Sequence, residues 1–377
     1  MTDADKTISL SDIDFGIDEE QAVLGVLRSR WISSGEQTRL FEEEFGAWVG
    51  APYTVAVTNC TAALHLACAA LGLGPGDEVL VPSLTFVATA NAVRYTGATA
   101  VFVDISSLDD WTLSPEGIRA AITSQTRAIL PMHYAGFPCD MKAISTIARE
   151  RGLLVIEDAA HGPGSWVGDA HIGTLGAVGC FSFFANKNMT SGEGGAITTA
   201  DPELAARIRI LRSHGMSTVS WERHQGRAYQ YDVTALGYNY RFDDLRAAIA
   251  RVQLRKLAVN NARRAECRAH YVARLQDTPG IHIPFMSRAG RFSHHIFPIL
   301  LDDGIDRLEL MKALRARGVQ SSVHYPPVHG FEIYSTGSVP PLPLTEAVGR
   351  RALTLPLHPL MSLSEVEFVV DQLKECL

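Results

Sequence analysis

Lys187 is the only lysine between Lys142 and Lys256 in a chain that otherwise draws its cations from arginine. It stands in the loop Phe184-Ala-Asn-Lys-Asn-Met-Thr-Ser, just ahead of Gly192-Glu-Gly-Gly195. Glycines there permit unusual backbone angles and a close approach of the chain to a ligand. A lysine in a partly apolar pocket loses some of its basicity, which frees the amine to form a Schiff base. The same residue on a solvated loop only faces water. Asp158 follows the apolar run Leu153-Leu-Val-Ile156 and precedes Ala159-Ala-His161-Gly. A carboxylate so placed is poorly solvated and needs a cationic partner or several donors. A pyridinium nitrogen is one such partner. Capping of the next helix fits the spacing equally well, and an Asp158/His161 metal pair lacks further ligands within sequence reach.

Two further segments complete the candidate chemistry. Thr58-Asn59-Cys60-Thr61 joins a strand to a helix, where free amides and the helix dipole favour a phosphate. A plain Asn or Thr cap is compatible with that role. Phe181-Ser182-Phe183 alternates as a strand and sets Ser182 opposite two aromatic rings. Neither G-x-G-x-x-G nor G-x-x-x-x-G-K-[ST] occurs, so dinucleotide and P-loop readings lose their main support. His294-His295 opens a strand and projects to opposite faces, which makes a poor metal pair. Asn188-Met-Thr190 matches a glycosylation triplet, without meaning in a chain that never meets the machinery.

The elements that must position these residues follow from periodicity. Short β-branched runs at Thr54–Val57, Glu78–Val81, Ala100–Asp104, Ala128–Met132 and Leu153–Ile156 alternate with helical patterns at Thr61–Leu71, Thr85–Tyr95, Pro115–Ile122 and Met141–Arg151. That alternation predicts a parallel sheet covered by helices on both faces. Ligands in such sheets sit at the carboxyl ends of strands. Position alone then marks Thr58–Thr61, Asp104, His133–Tyr134 and Glu157–His161. From about residue 201 long helices take over, including one from Asp243 to about Leu275. Its arginines at 251, 255, 263, 264 and 268 read as a solvated face. The remainder mixes short strands such as His295–Leu301 with helices, and Pro340-Pro-Leu-Pro343 reads as a loop.

Length and composition bound the answer. At 377 residues, two domains are expected. The formal charge of −7 excludes a strongly basic nucleic-acid binder. No apolar run approaches the roughly 20 residues of a membrane span. Six cysteines without C-x-x-C pairing and an acidic N-terminus point to a reduced, cytoplasmic protein.

Taken in order, the motifs resemble the DegT/StrS family of nucleotide-sugar aminotransferases, which depend on pyridoxal 5'-phosphate (PLP). They are Trp31-Ile-Ser-Ser-Gly35, Thr61-Ala-Ala-Leu64, Leu73-Gly-Pro-Gly-Asp-Glu-Val79 and Val155-Ile-Glu-Asp-Ala-Ala-His161. Further on come Phe181-Ser-Phe183, Lys187-Asn188, Gly192-Glu-Gly-Gly195, Gly237-Tyr-Asn-Tyr-Arg241, His324-Tyr-Pro-Pro-Val-His329 and Leu353-Thr-Leu-Pro-Leu-His358. The resemblance implies fold type I: an α/β domain with a large, mostly parallel sheet over residues 1–260, and a smaller C-terminal α+β domain over 261–377. It also assigns roles. Lys187 matches the Schiff-base lysine that later moves a proton, Asp158 the partner of the pyridinium nitrogen, and His161 a residue beside the ring. Cys60, Thr61 and Ser182 match the phosphate cradle, and Phe86 the ring stacked on the pyridine. Asn239 matches a phosphate contact from the other subunit, so a homodimer with shared active sites is implied. His329 matches a position near the sugar. No metal is called for.

The implied reaction passes an amino group from L-glutamate to a nucleotide-linked keto sugar. His133-Tyr-Ala-Gly136 is similar to members that act on a 4-keto hexose, which leans the expected acceptor toward a 4-keto-6-deoxyhexose. An aminocyclitol aminotransferase and a non-catalytic PLP-binding regulator are the alternatives. A dehydratase is disfavoured by lysine at position 187.

Overall fold

The computed structural model describes residues 7–217, 230–335 and 340–377. The apolar runs form β1 (Tyr53–Val57), β2 (Glu78–Pro82), β3 (Thr99–Val103), β4 (Thr126–Ile129) and β5 (Leu154–Asp158). After the short hairpin β6 (Trp166–Val167) and β7 (Ala170–His171) come β8 (Val178–Ser182) and β9 (Gly195–Thr199). All but the hairpin join one seven-stranded sheet in the order β1-β9-β8-β5-β4-β2-β3. Strands β3, β2, β4, β5 and β8 pair in parallel, whereas β9 runs antiparallel to both β8 and β1. Every residue of β8 and β9 is buried, as expected of a sheet covered on both faces.

Phe181 and Phe183 pack with Phe41, Phe45 and Phe242 in an aromatic core below the sheet. Val178 and Cys180 face the opposite core together with Cys60 and Ala63. Strand alternation therefore turns Ser182 to the side of the Cys60 helix.

The second sheet is antiparallel throughout: β10 (Ile281–His282), β11 (Phe297–Leu301) and β12 (Ala352–Leu355). Its core unites Phe297, Ile299, Leu353 and Leu355 with apolar residues of the Arg307–Ala316 and Leu363–Cys376 helices. Ile8 packs into this same core, its N–H donating to Gly318 O at 2.7 Å. A single 32-residue helix, Asp244–Leu275, serves both units. Ala247, Ala250, Leu254 and Leu257 lie in the aromatic core, while Cys267, Tyr271 and Leu275 lie in the second one.

Three local expectations are corrected. Arg264 is not on a solvated face: it is 2% exposed, and Nη1 donates to His295 O at 3.1 Å and Leu357 O at 2.7 Å. Those carbonyls precede or follow strands, so they need a side-chain donor. Pro343 opens the Pro343–Arg351 helix instead of ending a loop, a position where its missing N–H costs nothing. Asp104 carries no free carboxylate, since it caps that helix through Leu344 N–H and Thr345 N–H and Oγ1–H.

Candidate active site

The carboxyl ends of β1, β5 and β8 converge on Lys187. Asn59 is extended and accepts Ala62 N–H at 2.8 Å, which starts the Cys60–Ala70 helix and leaves the Cys60 and Thr61 amides without an intrahelical acceptor. Behind this terminus runs Gly195 of β9. A Cβ there would lie 2.6 Å from Asn59 C and 2.8 Å from Cys60 N. Only glycine lets the strand and the helix start approach so closely. Ser182, 5% exposed, accepts Phe184 N–H on its Oγ at a long 3.4 Å.

Asp158 ends β5 and is 4% exposed. Its Oδ2 accepts Thr89 Oγ1–H at 2.8 Å and its Oδ1 accepts Ala160 N–H at 3.1 Å. Burial raises its pKa, and these two donors work against that shift. The neighbouring Glu157 faces the other way. It accepts the amides of Gly173, Leu175 and Gly176 and pairs with His133 at 3.0 Å, so both residues serve the sheet's interior.

Lys187 follows a turn in which its N–H bonds Phe184 O at 3.0 Å. Burial pushes its pKa down to about 8, against the pull of Cys60 and Asp158. Its Nζ lies 3.5 Å from His295 Nε2. The His161 ring is centred 4.2 Å from that of His295. His161 Nδ1 accepts Ala135 N–H at 3.2 Å, so the neutral ring carries its proton on Nε2 and donates to Tyr325 Oη at 2.9 Å. Burial holds His161 neutral, its pKa well below the usual histidine value. Asp158 and His161 thus direct their polar atoms to separate partners and not to a common centre. The Phe86 ring, 54% exposed, stands 5.8 Å from Tyr325 and offers an uncovered apolar face.

The expected residues therefore divide. Cys60, Thr61, Asp158, His161, Ser182 and Lys187 gather at the strand ends, with Phe86 at the mouth. His329 lies at the carboxyl end of β2: Ser83 Oγ bonds its Nδ1 at 2.6 Å, and Glu346 stands 3.8 Å from its Nε2. Asn239 is exposed on an antiparallel bridge to Ser213. None of its described contacts reaches Lys187.

Sequence reasoning missed Thr89, Asn188, His295, His324 and Tyr325. Thr89 stands four residues after Thr85, and the two hydroxyls bond at 2.7 Å although the helix begins only at Ala88. His324 and Tyr325 open the motif that ends in His329, and no spacing within it singles them out. His295 does reach the site although the His294-His295 doublet makes no metal pair, because the strand begins only at Phe297. Asn188, far from a glycosylation site, is 4% exposed.

The residues present fit a planar pyridine phosphate. A helix start with free amides and a glycine-backed cradle suits the phosphate, a buried carboxylate suits the ring nitrogen, and an amine of lowered basicity suits the aldehyde. The chain is a PLP-dependent aminotransferase with an α/β architecture of fold type I. Residues 14–374 match the DegT/DnrJ/EryC1/StrS aminotransferase family, and the chain belongs to it. It is similar to the spore coat polysaccharide biosynthesis protein SpsC of Bacillus subtilis, 40% identical over 96% of this chain and 94% of that one. Among solved structures, S. venezuelae DesV in complex with a ketimine intermediate shares 36% identity at a TM-score of 0.89, covering 98% of both chains. DesI, solved in the presence of its TDP-sugar product, shares 32% at a TM-score of 0.89, over 99% of this chain and 93% of that one. The enzyme is a sugar aminotransferase. No described helix is long and apolar enough to cross a membrane.

Proposed function

We propose that this cytoplasmic enzyme transfers the amino group of L-glutamate to the ketone of a nucleotide-linked keto sugar. One observation carries the reading: Lys187 is an amine of lowered basicity set among Asp158, Cys60 and a row of neutral histidines. PLP supplies an aldehyde that takes up the amine and a cationic ring that withdraws electrons from the carbon being deprotonated.

The protein's part is to hold and move protons. Lys187 Nζ would hold the cofactor, and as a free amine it would serve as the base that moves the proton. Proton transfer by a positioned base contributes roughly 10²–10⁴-fold in typical enzymes. Asp158, whose charged form Thr89 and Ala160 favour, would balance the ring nitrogen's proton. The amides of Cys60 and Thr61, with Ser182 Oγ, hold the phosphate, and Phe86 covers the ring. The exposure of Asn239 and the TDP-sugar seen with DesI support two finer elements of the reading. The first is a homodimer in which Asn239 reaches the phosphate of its partner's site. The second is a nucleoside-diphosphate sugar as acceptor, a 4-keto-6-deoxyhexose on the strength of His133-Tyr-Ala-Gly136. That segment is buried and acts through Ala135, whose N–H fixes the His161 ring. His329, bonded to Ser83 just past the carboxyl end of β2, is placed on the same reading near the sugar.

The test is the visible spectrum of the PLP-loaded protein. Wild type is expected to show a band that bleaches with L-glutamate and returns with a 4-keto sugar nucleotide, while Lys187→Ala shows neither change. A band that ignores glutamate would leave a PLP-binding protein without this activity.

A further inference from the structure

His295 meets the amine of Lys187, and groups further away dictate which hydrogen that contact contains. The chain of bonds begins at two backbone carbonyls, which can only accept. Asn261 Nδ2 donates to Pro163 O at 2.9 Å, so the Asn261 oxygen must be the atom that faces Asn188. Asn188 Nδ2 spends its two hydrogens on Asn261 Oδ1 and Ser293 O, each at 2.7 Å. Its Oδ1 is therefore left to accept from His295 Nδ1 at 2.9 Å. Nδ1 carries the proton, and in the neutral ring Nε2 is a bare acceptor aimed at Lys187 Nζ, 3.5 Å away. Nothing in this chain can be reversed without setting two acceptors against each other. Gly164 makes room for it, since a Cβ there would fall 2.1 Å from Asn261 Nδ2. The His295 backbone is pinned as well, its N–H donating to Ala135 O and its O accepting from buried Arg264.

We propose that His295 is a positioning residue for the transamination, its Nε2 accepting a hydrogen from Lys187 Nζ and holding the free amine in the pocket, with the Asn188–Asn261 chain fixing the tautomer. This rests on the reading of Lys187 as the reactive amine. Burial and the charges of Lys187 and Arg264 hold the His295 ring neutral, as an acceptor must be. The other groups that face the amine are Asp158, Cys60, His161 and His324.

The test reads the amine directly, in cofactor-free protein. The rate of Lys187 acetylation by acetic anhydride is followed against pH by mass spectrometry of its peptide. Removing an acceptor destabilises the ammonium form, so His295→Phe is expected to lower the midpoint by about one pH unit, the size of a hydrogen bond to a charged group. His295→Gln, which offers a carbonyl oxygen at the reach of Nε2, is expected to return it toward the wild-type value. An unchanged or raised midpoint in the Phe variant, or no recovery with Gln, overturns the proposal. Should the Phe variant not fold, the nitrogen NMR signals of His295 in the wild type decide: a proton on Nε2 instead of Nδ1 overturns it. A wild type that forms no visible band with PLP would sink the reading of Lys187 itself, whatever the tautomer.

Discussion

Thr89 donates its hydroxyl to Asp158 Oδ2 at 2.8 Å, and Thr85 stands 2.7 Å behind it as the only described partner able to supply Thr89 with a hydrogen in turn. Both hydroxyls are buried, so the pair is oriented by Asp158 and not by water. Burial raises the pKa of this carboxyl, and the Thr89 hydroxyl works against that shift by favouring its charged form.

Thr89→Val removes that donor at nearly constant volume. A hydrogen bond to a charged group is worth about 1.5–3 kcal/mol, so PLP affinity is expected to fall on the order of tenfold or more. The loss should deepen toward acid pH, where Asp158 takes up a proton first. Titration of the visible band at pH 8 and pH 6 measures both effects, and equal affinities in variant and wild type would refute the role of the pair.

Gly195→Ala tests the cradle. Its Cβ would press on the backbone of Asn59 and Cys60 at 2.6–2.8 Å, and backbone cannot turn aside as a side chain can. The helix start should shift and inorganic phosphate should compete less well with PLP. A variant with unaltered phosphate competition would show that the cradle lies elsewhere.

Arg264→Met examines the buried guanidinium. The substitution keeps much of the volume but strands the carbonyls of His295 and Leu357. Unpaired buried polar groups cost about 1–3 kcal/mol each, so a stability loss of roughly 2–6 kcal/mol is expected in urea denaturation. A loss under about 0.5 kcal/mol, the scale of an ordinary surface change, would mean that the carbonyls find other donors.

Acid should unfold the protein through its buried histidines. Burial lowers His171 and His324 to about 4 from the usual 6.5. Between those values these two residues bind more protons in the unfolded chain than in the folded one, so their contribution to stability is complete above about pH 7 and declines toward pH 4. His171, fully buried with Nε2 accepting Gly164 N–H at 2.8 Å, accounts for about 3 kcal/mol of that decline. The urea midpoint measured from pH 7.5 to 5 should fall steadily, and His171→Gln should flatten the slope. A level profile in the wild type would contradict the buried neutral state.

The sheet was legible because its signal is local. Runs such as Leu153–Ile156 have one apolar period and one ending, and Asp158 or Thr58 follows from position at the strand end. Lys187 was legible by rarity. What escaped came from contacts of long sequence separation. His295 lies 108 residues from Lys187 and Tyr325 lies 164 from His161, and no periodicity in either segment points across such a gap. Arg264 was misread for a related reason. Helical spacing tells which residues share a face, not whether a strand end from another unit will cover it. Asp104 illustrates the reverse error, a carboxylate at the right end of the right strand whose oxygens are taken by a helix start 240 residues on.

The unbroken Asp244–Leu275 helix has a consequence for synthesis. A nascent chain that has released every strand of the seven-stranded sheet already carries Asp158, Ser182 and Lys187, yet the half of the helix beyond Leu257 has no core to enter. His295, His324 and Tyr325 are still to come. The chain must run on to β12 and the Leu363–Cys376 helix before the second core closes around Tyr271 and Leu275. Until then the lysine stands without the ring that faces it, so the reactive pocket is among the last parts of the molecule to be finished.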